Sequence, residues 1–138
     1  MEKIRRSSDS IVKIEVNDDG DIIAIDLSDR EFPNRFYALF ANLQHRVEEF
    51  EGKRGEIENL SVPEQICTDI EMHKAVMVDI DNLFGAGTCK KVFGDIVPDV
   101  AEITDFFEQL VPILQKYGKK RQDSINQKYS PARKGGAR

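Results

Sequence analysis

"GAGTCKKVFGDIVP", residues 85–98, decides how the chain is read. Its glycines and lysines suggest at first a loop that cradles phosphate. A Walker-type loop needs glycine directly before lysine, Ser or Thr directly after it, and a strand in front. Here Gly87 is followed by Thr88, Cys89, Lys90 and Lys91, and no hydroxyl follows the lysines. The apolar residues in front recur at helical spacing, so the dinucleotide fingerprint, which follows a strand, fails as well. The stretch is read instead as a glycine-broken corner between two helices. Gly85 and Gly87 stop the first helix. Thr88 caps a short turn from Cys89 to Phe93, Gly94 closes it, and Phe93, Ile96 and Val97 button the corner onto the core.

Upstream of the corner, Ser61-Val62-Pro63-Glu64 has the form of a capping box. Ile66, Ile70, His73, Met77, Ile80 and Phe84 follow as one apolar stripe. An earlier helix begins at "LSDREFPNRFYALF", with Ser28 or Asp29 as cap and Pro33 in the first turn. Its stripe is Phe36, Leu39, Phe40, Leu43, Val47 and Phe50, continued past Gly52 and Gly55 by Ile57 and Leu60. Downstream, Pro98 and Asp99 open a third long helix. Ile103, Phe106, Leu110, Ile113 and Tyr117 repeat along it, flanked by Phe107 and Leu114. Pro112 sits inside that pattern, where it removes one backbone hydrogen bond and favours a kink.

Before the helices stands "IVKIEVNDDGDIIAIDL". Val12, Ile14 and Val16 alternate with Lys13 and Glu15, Asn17 to Gly20 is a turn signal, and Ile23, Ile25 and Leu27 share a face. The expected architecture is therefore mainly α with an N-terminal β-hairpin, with three long amphipathic helices in a bundle. The expected boundaries are a flexible arm at 1–10 and a single domain at 11–123. Within it lie a hairpin at 11–27 and helices at about 31–60, 62–84 and 99–123, followed by a basic, disordered tail at 124–138.

The totals bound the function. A chain of 138 residues supports one domain with a modest core. No apolar run approaches the roughly 20 residues of a membrane span. The charged start, MEKIRRSSDS, lacks the apolar segment of a signal peptide. Two isolated cysteines, Cys67 and Cys89, fit a reducing cytoplasm better than a disulfide framework. The net charge of −5 hides an asymmetry: residues 116–138 hold eight basic side chains and one acid, whereas residues 1–115 hold twelve basic and twenty-four acidic ones. An acidic body repels nucleic acid, and a basic tail attracts acidic surfaces.

No catalytic constellation is visible. Neither cysteine has a second Cys or a His at zinc-ligand spacing. Cys89 beside two lysines would be reactive only if exposed, and both cysteines are expected to be small buried hydrophobes. His73, in "EMHK", is expected at a helix–helix seam, with Asp69 and Glu71 pointing elsewhere. Asp18, Asp19 and Asp21 lack the spacing and closing glutamate of an EF-hand loop. No metal or cofactor is expected. The apolar surplus of the long helices falls on Phe32, Tyr37, Phe107, Leu114 and Tyr117, which are the candidates for contact with a protein partner or a second copy. The candidates for an electrostatic tail are Lys119, Lys120, Arg121, Lys128, Arg133 and Lys134. With Tyr129 as its one aromatic residue, that tail has little of the stacking surface that single-strand binders use.

The blocks "IDLSDREFPNRFYALF", "DNLFGAGTCKKVFGDIVPD" and "ITDFFEQLVPILQKYGKKRQDSINQKYS" resemble a family of small phage and prophage proteins from tail morphogenesis gene clusters. The likeness covers about residues 20–130, and the block around FGAGTCKKVFGDIVP is its most specific part. The resemblance implies a non-enzymatic tail assembly chaperone of the bacterial host cytoplasm. Such a protein would bind helical segments of the tape measure protein and keep it soluble. The alternative is a small nucleic-acid-associated or regulatory protein acting through the basic C-terminal tail.

Overall fold

The computed structural model describes residues 1–129. Among them, a two-stranded antiparallel hairpin is followed by five helices, three of them long. Strands β1 (Ile11–Glu15) and β2 (Ile22–Asp26) pair with Val12 opposite Ile25 and Ile14 opposite Ile23. That register puts all four side chains on one face, and Val12, Ile23 and Ile25 are buried there. Asn17 organises the turn. Its Oδ1 accepts from the Asp19 and Asp21 amides at 2.9 and 3.2 Å, while Gly20 takes φ +82°. The Asn17 amide also donates to the Lys91 carbonyl at 2.9 Å, which fastens the hairpin tip to a distant helix. The aspartates thus belong to a turn.

Helix α1 spans Phe32–Gly52, with Pro33 in its first turn. Its cap position is Glu31, which makes no side-chain cap bond; Asp29 instead accepts from the Glu31 amide at 2.9 Å one turn earlier. The helix expected at 31–60 is broken. Lys53 leaves helical geometry, and a short α2 (Arg54–Glu58) follows. Glycine destabilises a helix interior by about 0.5–1 kcal/mol relative to alanine, and Gly52 and Gly55 flank the break.

Helix α3 (Val62–Phe84) starts at Ser61, whose Oγ accepts from the Glu64 amide at 3.3 Å. The opening corner is then resolved. Gly85 and Gly87 take φ +117° and +84°, and α4 (Thr88–Phe93) begins directly with Thr88, ending at Gly94 with φ +76°. Thr88 is not the cap; its hydroxyl donates back to the Gly85 carbonyl at 2.7 Å. The Asp81 carboxylate, from α3, accepts from the Cys89 amide at 2.9 Å. The first turn of α4 therefore already holds an anion supplied by the chain itself. Of the expected buttons, Phe93 is half-buried, but Ile96 and Val97 are exposed, and Pro98 is buried in their place.

Helix α5 (Val100–Tyr129) starts with Asp99 accepting from the Glu102 amide at 2.8 Å. It continues through Pro112, which lies on its exposed side. It also runs six residues past the expected end at 123, so residues 124–129 are helical rather than disordered; residues 130–138 lie outside the described part.

The core gathers Ile23 and Ile25 of the hairpin, Leu39 and Leu43 of α1, Val76 and Ile80 of α3, Cys89, and Ile103, Phe106, Phe107 and Leu110 of α5. Seven of the eight phenylalanines form one ring network across α1, α3, α4 and α5. Phe107 is its most deeply buried ring, at 1% exposure, and lies 5.8 Å from Phe36, 4.8 Å from Phe40 and 5.6 Å from Phe106. The expected α3 stripe faces inward only from His73 onward; Ile66, at 55% exposure, and Ile70 face solvent.

Candidate functional site

The latter half of α5 extends beyond the core and passes beside the first turns of α1. Between them lies a groove of about 470 Å³. Phe32, Phe36, Tyr37 and Phe40 form one wall, Val111, Leu114 and Ile125 the other, and Gly118 lies along the α5 side. A Cβ built on Gly118 meets nothing within 4 Å, so this mid-helix glycine faces open space. Three of the five partner candidates, Phe32, Tyr37 and Leu114, therefore come together in one groove, and Tyr37 is 73% exposed.

The other two do not join them. Phe107 is 1% exposed and belongs to the core, so it is unavailable to a partner. Periodicity placed it beside Phe106 but could not show that α1 would cover it. Tyr117 lies outside the groove lining, with the ammonium groups of Lys116 and Lys120 at 5.3 and 5.1 Å from its ring centre.

The tail candidates also separate. Lys119, Lys120, Arg121 and Lys128 are carried on α5 itself, while Arg133 and Lys134 lie outside the described residues. Arg121 is half-buried and lines the groove together with Arg30, which the sequence reading did not single out.

The N-terminal arm is tied down from Arg6 onward. The Asp26 carboxylate accepts from Arg6 at 2.6 Å, from the Ser10 hydroxyl at 2.8 Å, and from the Ser28 hydroxyl and amide at 2.6 and 2.9 Å. The Ser28 hydroxyl and then Arg6 hold this carboxyl far below the usual carboxylate range. The anchoring by this carboxylate is therefore fully present above about pH 4 and is lost as acid protonates it. The node joins positions about 20 residues apart, so no local pattern announces it. Arg6, Ser10 and Ser28 also face the end of α5, across from Arg121 and Ile125.

His73 is buried, and its Nδ1 donates to the Asp69 carbonyl at 2.8 Å. Contrary to the sequence reading, the Asp69 carboxylate stands close by, at 3.5 Å. Among the described residues, no three His, Cys, Asp or Glu side chains gather as a metal site. No helix there is long and apolar enough to cross a membrane. Cys89 is buried as expected, but Cys67 is exposed. Burial first, and the Asp81 carboxylate second, push the Cys89 thiol up to about 12. A soluble alkylating reagent at neutral pH is expected to modify Cys67 in the folded protein and Cys89 only after unfolding. Mass spectrometry of peptides labelled before and after denaturant checks this, and equal native labelling of both thiols would contradict it.

Hairpin, helical body and open groove together define a mainly α, hairpin-bearing protein with an apolar groove between α1 and α5. Residues 19–138 match a family described only as a family of unknown function, DUF6673, and the chain belongs to that family. No curated protein and no solved structure matches the chain.

Proposed function

We propose that this protein is a non-enzymatic binding protein that holds an apolar helical segment of a partner in the α1–α5 groove. The observation that carries the reading is an open, phenylalanine-lined trough whose floor, Phe32, Phe36 and Leu114, packs on the core while Tyr37 at its edge stays 73% exposed. Exposed apolar surface of this kind attracts a complementary apolar face, and a helix laid in a groove offers one. The resemblance to phage tail morphogenesis proteins supplies the setting. There the partner is the tape measure protein, the action is that of a tail assembly chaperone, and the place is the bacterial host cytoplasm. A long helical tape measure protein would aggregate through its apolar stripes, and a small acidic protein seated on them would keep it soluble.

The test is co-expression with a tape measure protein, scored by its soluble fraction. The wild type is expected to raise that fraction. The double variant Tyr37→Asp/Leu114→Asp is expected to lose the effect while keeping its helical circular dichroism. An undiminished effect in the double variant would overturn the reading. So would a soluble complex that disappears only when residues 130–138 are removed, which would favour the electrostatic tail.

A further inference from the structure

The groove is charged on one side only. Arg30 and Arg121 line it, and no acidic residue does, although the chain as a whole carries −5. Arg6, Arg35, Arg46 and Arg54 each hold a carboxylate. The Arg30 and Arg121 side chains hold none, and neither guanidinium makes a hydrogen bond among the described residues. Arg121, half-buried beside the apolar wall, gains most from an arriving carboxylate, which its guanidinium can grip through two parallel bonds, and the exposed Arg30 adds a second positive charge at the rim.

The position of the two charges is also defined. Phe36 and Phe40 meet Phe107, so the end of the groove near Phe40 and Val111 lies against the core. Arg30 precedes α1, and Arg121 lies ten residues past Val111, so both belong to the outer end. From Val111 to Ile125, α5 contributes a lining residue at every turn, a length of about 21 Å at 1.5 Å per residue. That is the length of a four-turn helix. Midway along it, Gly118 offers a backbone with no side chain above it, where another backbone can approach closely.

Building on the function proposed above, we infer that the occupant is an acidic amphipathic helix of about four turns. Its apolar stripe passes over Gly118 between Tyr37 and Leu114, and its carboxylates meet Arg30 and Arg121. The chain's own residues 130–138, SPARKGGAR, carry three basic residues and no acid and have the wrong charge for this seat.

The probe is a fluorescein-labelled designed peptide of about 16 residues, with leucines one turn apart and glutamates flanking that stripe. Its twin carries lysines in place of the glutamates. Fluorescence anisotropy against the full chain at moderate salt is expected to show the glutamate peptide binding about tenfold tighter or better. Arg30→Glu/Arg121→Glu should reverse that preference, with helical circular dichroism unchanged. Equal binding of the two peptides, both lost in Tyr37→Asp/Leu114→Asp, would sink the acidic occupant while leaving groove docking intact. Failure of both peptides to bind the wild type overturns the inference, and the co-expression assay then decides separately on the groove. Sedimentation of the chain alone provides a further arm. A dimer abolished by Tyr37→Asp would make a second copy the occupant and overturn the inference too.

Discussion

Phe107→Ala is expected to destabilise the protein by about 3–5 kcal/mol, enough to unfold much of it near physiological temperature. The ring is 1% exposed and packs edge-on or tilted against Phe36, Phe40 and Phe106, so its removal leaves a void at the junction of α1 and α5. The cost combines the lost transfer free energy with a cavity that the rigid neighbours cannot fill. Urea unfolding followed by circular dichroism measures it. Tyr37→Ala, one turn from Phe40 but 73% exposed, is expected to cost well under about 1 kcal/mol in the same assay. Similar losses for the two variants would mean that Tyr37 is covered and that the groove is not open.

The second large effect is on binding. Gly118→Trp is expected to fill the groove and weaken helical-peptide binding by tenfold or more, because the indole would occupy the space the partner needs. Gly118→Ala provides the control. No atom lies within 4 Å of the added methyl, and alanine favours the helix over glycine by about 0.5–1 kcal/mol. The alanine variant should therefore melt a few degrees higher than the wild type. Greater stability from alanine, with binding abolished by tryptophan in a folded chain, is the pattern expected of a residue kept small for contact. A destabilising alanine would show that the space above Gly118 is occupied, contrary to this account.

Local pattern carried much of the fold. Alternation from Val12 to Val16, with Asn17 and Gly20 between the strands, set the hairpin and its inward face. The glycines at 85, 87 and 94 marked the corner, since each takes a positive φ. What pattern could not carry was coverage. The apolar stripe of α3 reads continuously from Ile66 to Phe84, yet neighbours bury it only from His73 onward. Periodicity defines a face without saying which helix will meet it. Phe107 and Tyr37 looked alike as surplus for the same reason, and packing separated them into core and rim. The groove depended on α5 continuing as helix past 123, where the apolar signal thins to Ile125 and Tyr129. Asp26 and Asp81 were opaque for another reason. Each acts on groups that only the folded chain brings near, the Arg6 guanidinium in one case and the Cys89 amide in the other.

The central claim is that the trough between the start of α1 and the later turns of α5 is where a partner helix sits. Hydrogen–deuterium exchange of the full chain, with and without a saturating acidic amphipathic peptide, tests it most directly. Added protection is expected along residues 32–40 and 111–125, with the exposed Ile66–Ile70 segment of α3 unchanged. Protection centred on Ile66–Ile70, with none at the α1–α5 trough, would contradict it.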